Sequence, residues 1–254
     1  MLSFERRNKI CDIVEAQGSA DVASLVQQFG VSAETIRKDL ILLEKNNRIQ
    51  RIHGGVIPCS KAVPSMTFEV RKDYCREQKR ELSEYAARFI ENGDWIFLDF
   101  GSTTIELAEV LAQKFEQLHI VTHSATVFNR LAHVKNFELI LCAGHYDREE
   151  DAFFGDLVID ALDRLHINKA FLCPAAISLK YGIMDCNELS IRIQRKVIES
   201  SNQVILLADS EKFEKTANYM LCGIQDPAVI VTDSGLNDQI YHLYTENDIN
   251  IIRG

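Results

Sequence analysis

The stretch "VSAETIRKDLILLEKNNRIQRIHGG", residues 31–55, decides the fold of the first part of the chain. An apolar stripe recurs in it at helical spacing: Ile36, Leu40, Leu42 and Leu43. Ser32 stands directly before this stripe, where a helix N-cap is preferred. The run "RIQRIHGG" then alternates polar and apolar residues and ends in a glycine pair, which is typical of a hairpin. We therefore expect a helix from Ala33 to about Asn46, followed by a two-stranded wing.

Two further helices are expected in front of this one. The first has its apolar residues on one face: Phe4, Ile10, Ile13 and Val14. The second, "DVASLVQQFG", begins at the capping residue Asp21 and stops at Gly30. Two short helices joined by a tight turn, the second polar on its exposed face, form a helix-turn-helix unit. A small helical bundle with a solvated polar face fits the same pattern, and the pattern alone leaves both interpretations open.

The polar face of the third helix suits the major groove of DNA. That groove is about 12 Å wide and admits one α-helix, whose N-terminal residues reach the base edges. The residues in question are Ser32, Ala33, Glu34, Thr35, Arg37 and Lys38. Arg37 suits a guanine edge or a phosphate. Glu34 is repelled by phosphates, so a favourable DNA contact for it would be a hydrogen bond accepted from a cytosine amino group. Arg51 and His53 of the wing are expected near the backbone of the duplex.

Composition and charge limit the other classes of protein. The 254 residues carry a net charge of −9, but residues 1–58 carry +1 and the remainder −10, so the head is the part suited to a polyanion. No apolar run approaches the roughly 20 residues that span a membrane, and the N-terminus lacks the apolar core of a signal peptide. The seven scattered cysteines contain no CxxC pair, which favours reduced thiols in the cytoplasm. We expect no metal and no cofactor.

The remainder of the chain predicts an α/β domain. Six apolar runs are typical of buried strands: "WIFLDF", "HIVTH", "ELILCAG", "KAFLCPAAI", "QVILLAD" and "AVIVTD". Segments with helical spacing lie between most of them, and this alternation favours a largely parallel sheet covered by helices. The expected organisation is a helix-turn-helix domain over 1–57, a linker over 58–76 and an effector domain over 77–254.

The segment "LDFGSTTIELAEVL" has the composition of a phosphate cradle. Gly101 lets the backbone approach a ligand, and the side chains of Ser102, Thr103 and Thr104 offer hydroxyls at a helix N-terminus. Ligands bind at such strand ends in open α/β sheets. The spacing of a P-loop is absent, and a plain helix cap is the alternative interpretation.

Further polar residues follow other strands of the predicted sheet. They are Asp99, Thr122, Ser124, Gly144, Asn187 and Lys212. Their convergence at one edge of the sheet strengthens the prediction of a ligand site, and a lysine there could neutralise a phosphate.

The whole pattern resembles the DeoR/GlpR family of bacterial sugar-metabolism repressors. The head matches the family pattern at Val31, Ser32, Thr35 to Leu40, His53, Gly54 and Gly55, and the body matches at the D-x-G-S-T-T and L-A-D-S-x-K-F segments. The resemblance implies a winged helix-turn-helix joined to an α/β domain similar to pentose-phosphate isomerases and CoA transferases, with a phosphorylated sugar as effector. The chain departs from the family at His123, Ala143, Glu211 and Glu214. Two additional carboxylates beside Lys212 would disfavour a dianion.

Rival functions remain at this point. A sugar-phosphate isomerase-like enzyme needs a carboxylate base, which Asp99 or Glu106 offers, but it has no use for a DNA-binding head. His119 and His123 share one strand face, yet no third ligand completes a metal site. A DNA-binding scaffold without ligand makes no use of the polar strand ends. The interpretation that uses every feature is a repressor without catalytic residues, a homodimer or homotetramer on operator DNA, released by a phosphorylated sugar.

Overall fold

The chain folds into two compact units, Met1–Ala62 and Val63–Gly254, which are called the head and the sensor unit below. The structure is a computed structural model. It describes residues 3–17, 20–45, 48–52, 55–58 and 68–254. The organisation over 1–57, 58–76 and 77–254 that the sequence predicts remains a prediction in its exact bounds, and a helix over Phe68–Asp73 lies within the segment expected to be a linker.

The head is a winged helix-turn-helix. Its elements are α1 (Ser3–Gln17), β1 (Ala20–Asp21), α2 (Val22–Phe29), α3 (Ala33–Lys45), β2 (Ile49–Ile52) and β3 (Gly55–Pro58). The three strands form an antiparallel sheet in the order β1-β3-β2, so that β2 and β3 are the wing. This architecture confirms the expected fold of the head.

Local signals place the ends of these helices. The carboxylate of Asp21 accepts from the Ser24 backbone N–H at 2.8 Å and caps α2, and Gly30 ends α2 in the left-handed conformation with φ 63°. Ile36, Leu40 and Leu43 are buried in the core of the head, as expected. Not every apolar residue of these helices is covered: Phe4 is 66% exposed and Leu42 is 39% exposed.

A buried ion pair joins α1 to α3. Asp39 is 4% exposed and accepts from Arg6 Nε at 2.6 Å, with Arg7 Nη1 at 3.4 Å. Burying one charge is costly unless it is paired, so the pairing fixes which side of α3 turns inward. The opposite side of α3, including Arg37 and Lys38, is left exposed.

The sensor unit contains the remaining elements. Its helices are α4 (Phe68–Asp73), α5 (Arg76–Ala86), α6 (Ser102–Lys114), α7 (Ala125–Leu131), α8 (Asp156–Leu162), α9 (Glu188–Ser200) and α10 (Asp238–Glu246). Its strands are β4 (Trp95–Leu98), β5 (Leu118–Thr122), β6 (Phe137–Leu141), β7 (His145–Asp147), β8 (Ala152–Phe154), β9 (Ile167–Leu172), β10 (Ala176–Ser178), β11 (Gly182–Asp185), β12 (Ser201–Leu207), β13 (Tyr219–Cys222), β14 (Val229–Thr232) and β15 (Ile251–Arg253). Single 3-10 turns follow α5 and β12.

Seven strands form a parallel sheet in the order β15-β14-β12-β9-β4-β5-β6. Alternate residues of a strand face opposite sides, and two hydrophobic cores result. Ile96 and Leu98 pack with α5, α6 and α7 on one side, while Phe97 packs with α8, α9 and α10 on the other. The parallel sheet covered by helices confirms the predicted fold class.

The strand order reverses between β4 and β9. From β4 the chain proceeds to β5 and β6 on one side, and from β9 it proceeds to β12, β14 and β15 on the other. Such a switch point opens a crevice at the carboxyl ends of the two strands, where ligands bind in sheets of this type. Asp99 follows β4 and Cys173 follows β9, so these two residues stand at the crevice.

Short antiparallel strands leave the main sheet at its carboxyl edge. The hairpin β7-β8 follows β6, and the sheet β10-β11-β13 is built after β9 and β12. The run "KAFLCPAAI" was expected to be one strand. It forms two, β9 and β10, which flank Pro174; proline cannot donate to a ladder.

No helix among the residues described here is long and apolar enough to cross a membrane.

Candidate functional site

The N-terminus of α3 presents the residues that the sequence assigned to DNA. Thr35 N–H donates to Ser32 Oγ at 3.2 Å, and the two hydroxyl oxygens lie 2.9 Å apart, so Ser32 caps α3. Ala33, Glu34, Arg37 and Lys38 are exposed. Their contacts to DNA remain a prediction, but their side chains are on the accessible side of the helix.

The charges on α3 are only weakly engaged. Lys38 Nζ lies 3.9 Å from Glu34 Oε1, a surface pair that contributes little. This pairing offers a use for Glu34 other than contact with a base. Arg37 makes no ion pair or hydrogen bond with any described residue. Arg51 lies in β2, with its side chain outside the description, and His53 lies outside the described residues.

Asp99 is the centre of the second candidate site. Its carboxylate is fully buried at the end of β4. Oδ1 accepts from the Phe100 N–H at 2.9 Å, and Oδ2 accepts from the Cys173 N–H at 3.1 Å and from Gln194 Nε2 at 2.9 Å. Asp99 therefore ties the end of β4 to the end of β9 across the switch point and to α9 behind it.

His123, which departs from the family pattern, lies beside Asp99. Its Nδ1 is 2.7 Å from the carbonyl oxygen of Phe153, and its Nε2 is 3.3 Å from Asp99 Oδ1. Because a carbonyl oxygen can only accept, Nδ1 carries the proton of the first contact. The ring is fully buried and packs against Phe97, Phe100 and Phe154. These contacts hold the His123 side chain firmly in the site.

Gln194 links two buried carboxylates. Its Nε2 donates to Asp99 and, at 3.2 Å, to Asp185 Oδ2. Gln194 Oε1 and Ser190 Oγ are buried on the same side of α9 and have no hydrogen-bond partner in the described part. Burial, with the charge of Asp99 as a second cause, raises the pKa of Asp185 to about 6. Burial therefore disfavours the ionised form of Asp185.

Replacing Asp185 by asparagine should reveal the cost of that ionisation. A raised pKa means that stability from protonated Asp185 is full below its ordinary pKa and is lost as the pH rises towards about 6. The stability of the Asp185→Asn variant relative to the natural chain should thus rise by up to about 3 kcal/mol between about pH 4 and about pH 7. Urea unfolding at the two pH values measures this difference.

The matched control for this prediction is Asp160→Asn, because Asp160 is exposed on α8. Its stability relative to the natural chain should not change between the two pH values. If the stability of Asp185→Asn relative to the natural chain is also the same at both pH values, Asp185 does not ionise at a cost in the folded protein.

The start of α6 has the geometry of an anion cradle. Gly101 has φ 123°, a conformation that favours glycine, and it provides no side chain to cap the helix. The first backbone N–H groups of α6 are thus left for another acceptor. Ser102 and Thr103 are buried beside them, while Thr104 Oγ1 donates to the carbonyl of Gly101 at 2.9 Å. Thr104 therefore braces the loop.

Other residues assigned to the effector have local structural contacts. Thr122 Oγ1 accepts from the Ser124 N–H at 3.1 Å, and Ser124 Oγ accepts from the Val127 N–H at 3.2 Å and caps α7. Asn187 caps α9 in the same way through the Leu189 N–H at 2.8 Å. For Ser124 and Asn187, a helix cap describes the contacts observed, and Thr122 braces the residue that caps α7.

Gly144 is explained by close packing. A Cβ built on it would lie 2.5 Å from the carbonyl oxygen of Phe154 and 3.0 Å from Val158 Cγ2. The backbone of Gly144 thus approaches the end of β8 more closely than any side chain permits. A role in binding the effector is a separate prediction that this contact does not test.

Lys212 stands in the 3-10 turn after β12, the strand next to β9. Its ammonium makes no ion pair or hydrogen bond with a described residue. The carboxylate of Glu214, expected to oppose a dianion, accepts from Tyr244 Oη at 2.7 Å and from the Leu179 N–H at 3.1 Å. Glu214 is therefore engaged elsewhere. Glu211 is exposed.

The residues considered for catalysis or metal binding have other contacts. Glu106 Oε1 accepts from Arg76 Nε at 2.9 Å, and both oxygens of Asp99 hold hydrogen bonds, so neither carboxylate is placed as a free base. His119 stacks on Trp95 with ring centroids 4.7 Å apart, and its Nδ1 lies 2.8 Å from Glu138. Within the described residues, no group of His, Cys, Asp or Glu side chains could hold a metal ion.

Several residues at this site are not in the set predicted from the sequence. They are Lys79, Cys173, Asp185 and Gln194. The sequence could have indicated Gln194 and Ser190, because both are polar residues on the buried face of the amphipathic helix α9. It gave no indication of Lys79, since an isolated lysine is ordinarily exposed.

Comparison with known proteins gives the family. Residues 6–62 match the family described as the DeoR-like helix-turn-helix domain, and residues 75–234 match the DeoR C terminal sensor domain. A putative aga operon transcriptional repressor of Escherichia coli O157:H7 is 32% identical over 234 residues, covering 91% of this chain and 87% of the relative. An L-fucose operon activator of Haemophilus influenzae is 32% identical over 244 residues, covering 96% and 97%.

Among solved structures, a D-ribose-5-phosphate isomerase in complex with phospho-erythronic acid is 17% identical with a TM-score of 0.42, over 54% of each chain. This similarity concerns the fold alone. The relatives that match nearly the whole chain are named as regulators, and the head matches a DNA-binding domain, so the protein is a regulator and not an enzyme. The chain belongs to the DeoR family of DNA-binding transcriptional regulators.

Proposed function

We propose that this protein represses an operon for the breakdown of a sugar or a related carbon source, and that a phosphorylated sugar bound in the sensor unit releases it from DNA. The observation that carries the proposal is the uncapped start of α6 at the switch point between β4 and β9. A family of DNA-binding regulators with a sensor domain needs a ligand site, and this crevice has the chemistry for an anion.

The chemistry of the crevice favours a phosphate group. Backbone N–H groups at a helix N-terminus and two hydroxyls, of Ser102 and Thr103, suit phosphate oxygens. Lys212, whose ammonium has no partner in the described part, would supply a compensating charge. The buried carboxylates of Asp99, Asp185 and Asp209 suit the hydroxyls of a sugar rather than a second anion.

The DNA-binding side of the proposal rests on the head. Two copies of α3, related by a two-fold axis in a homodimer or homotetramer, would read the halves of a pseudo-palindromic operator. Contacts are proposed for the N-terminal part of α3 and for Arg51 and His53 of the wing. Effector binding would favour an arrangement that reads the operator poorly, with a coupling of about 1–3 kcal/mol.

We propose repression and not activation, although one relative is named as an activator. The other relative, for the aga operon, is named as a repressor. A gel-shift assay on the DNA upstream of the chain's own gene, with and without a panel of sugar phosphates, tests both the operator and the effector. Release by one sugar phosphate supports the proposal, whereas tighter binding would indicate co-repression.

Replacing Ser102 and Thr103 together by alanine should blunt induction and leave operator binding unchanged. The variant loses two hydroxyl donors, and a hydrogen bond to a charged group contributes roughly 1.5–3 kcal/mol. The effector concentration for half-maximal release should therefore rise at least about tenfold for each hydroxyl lost. The measurement is the same gel shift, titrated with the sugar phosphate that releases the natural chain.

Thr245→Ala is the control, because its exposed hydroxyl bonds only within α10. It should respond like the natural chain. Full response of the double variant at unchanged effector concentration would contradict the cradle, and turnover of any sugar phosphate would revive an enzymatic role.

A further inference from the structure

Lys79 is a buried lysine with an unusual set of partners. It lies in the first turn of α5, is 3% exposed, and donates from Nζ to the carbonyl oxygens of Arg71, at 2.6 Å, and Tyr74. No carboxylate in the described part of the chain forms an ion pair with it. An ammonium group has three donors, so one has no acceptor among the described residues after these two bonds. Its hydrogen bonds go to neutral carbonyls, and the carboxylate of Asp209 contributes a favourable charge without forming an ion pair with it.

The two carbonyls define what Lys79 holds in place. Arg71 belongs to α4, and its carbonyl is among those at a helix C-terminus that have no partner within the helix. Tyr74 precedes Cys75, which has φ 53°, a left-handed conformation that residues other than glycine seldom adopt. Lys79 therefore anchors both the C-terminal end of α4 and the strained turn that follows it.

Helix α5, which carries Lys79, is joined to α6, whose first turn is the proposed anion cradle: Arg76 Nε donates to Glu106 Oε1 at 2.9 Å. Burial raises the pKa of the Cys173 thiol to about 12, while the charges of Lys212 and Lys79 and a hydrogen bond with Thr103 act in the opposite direction. Both lysines and Thr103 of α6 thus act on the same thiol, which directly follows β9 at the switch point. Burial lowers the pKa of Lys79, and the charge of Lys212 lowers it further. The charge of Asp209 acts in the opposite direction and offsets only part of this effect.

We propose that Lys79 is a latch through which the effector controls α4, an inference that rests on the proposed function. Without effector, its ammonium holds the carbonyls of Arg71 and Tyr74. A phosphate at the start of α6 draws the same ammonium, because a charge-assisted hydrogen bond is about twice as strong as a neutral one. The end of α4 and the turn at 74–75 then lose their anchor.

The remaining contacts of α4 confine the effect to its C-terminal end. Phe68 is 2% exposed and packs in the sensor core, and Arg71 forms a two-bond ion pair with Glu150. These contacts do not involve Lys79. Because α4 is the first described element of the sensor unit, the segment that the latch loosens is the one nearest in sequence to the head. A change there gives the effector a route along the chain towards the DNA-binding unit.

Hydrogen exchange of the full chain, followed by mass spectrometry, tests the latch. The probe is inorganic phosphate, titrated against chloride at equal ionic strength. Phosphate should slow exchange at the start of α6, where it binds, and should speed exchange over residues 70–76, where the anchor is lost. The two regions are read in the same experiment on the natural chain, so the test does not depend on a variant that folds.

Lys79→Gln separates the charge from the hydrogen bonds. Glutamine retains a neutral donor for the carbonyls, so α4 should stay protected. Without the ammonium, phosphate should bind roughly tenfold or more weakly, and residues 70–76 should no longer respond to it. Lys72→Gln is the matched control, since Lys72 lies on the surface of α4 and pairs with Glu69 at 2.7 Å. It should respond as the natural chain does.

Three results would overturn the latch. Slower exchange at α6 with unchanged exchange over 70–76 would remove the latch and leave the cradle standing. A response of 70–76 in Lys79→Gln equal to that of the natural chain would show that another group transmits the signal. Phosphate that leaves the start of α6 unchanged would remove the cradle, and the latch with it.

Discussion

Replacing Arg37 by alanine should weaken operator binding by roughly 1–3 kcal/mol for each recognition helix while the sensor unit keeps its stability. The guanidinium is exposed near the start of α3 and has no ion pair or hydrogen bond among the described residues, so folding makes little use of it. Its neighbours Ile36 and Leu40 are buried and continue to hold α3 in place. The loss therefore falls on DNA binding.

Fluorescence anisotropy with the operator measures this loss, at one fixed salt concentration because phosphate contacts make affinity strongly salt-dependent. Lys180→Ala removes an equal charge from an exposed site of the sensor unit and serves as the control. Comparison with unrelated DNA shows whether Arg37 reads a base or only a phosphate, since a phosphate contact weakens binding to all sequences alike. Equal affinities for Arg37→Ala and Lys180→Ala would remove α3 from the operator interface as proposed.

Replacing Asp99 by alanine should destabilise the sensor unit by about 3–5 kcal/mol. The substitution removes the acceptor of the buried Phe100 and Cys173 N–H groups and one of the two acceptors of the Gln194 amide. Each unsatisfied buried donor costs about 1–3 kcal/mol, although lower repulsion with Asp185 offsets part of the total. The ends of β4 and β9 would also lose the bond that joins them across the switch point.

Trp95 provides a selective measurement of this effect. It is the only tryptophan, and it lies in β4, so its fluorescence follows the unfolding of the sensor unit in urea. Asp160→Ala, at an exposed position of α8, is the control and should change the midpoint little. A change of less than about 1 kcal/mol for Asp99→Ala would mean that the carboxylate is not the structural centre of the site.

The head could be predicted from the sequence because local chemistry determines its elements. Asp21 caps α2 and Gly30 ends it through contacts within a few residues, and these signals are legible without knowledge of the tertiary fold. The exposure of Phe4 and Leu42 could not be predicted, because an apolar side chain on a helix does not reveal whether another element covers it.

The sequence predicts which segments form the central strands of the main sheet, but not the order of those strands. Runs of buried apolar residues indicated the central strands, and helices between them favoured a parallel arrangement. The order of strands could not be read, since nothing in β4 alone indicates that β9 will be its neighbour. The strands of β7-β8 and β10-β11-β13 are only three or four residues long and have too short a pattern to recognise.

The candidate site was predictable at Asp99 and over Gly101 to Thr104, where glycine and hydroxyl residues separate a strand from a helix. Its second half was not, because it depends on residues that tertiary structure alone brings together. Lys79 lies in α5 and Asp99 follows β4, so the sequence does not show that the two belong to one region. Asp185 and Gln194 meet Asp99 only because the strand order places β9 beside β4.

The short strands that leave the carboxyl edge of the main sheet are distinct from the seven strands that form the scaffold. The hydrogen bonds of the seven central strands do not pass through β7-β8 or through β10-β11-β13. Exposed residues of these short strands, such as Tyr146 and Met220, can change without breaking a hydrogen bond of the central sheet, whereas Phe154, Ile177 and Ile183 are part of the hydrophobic core. New chemical selectivity in this architecture can therefore evolve in steps that each leave a foldable protein.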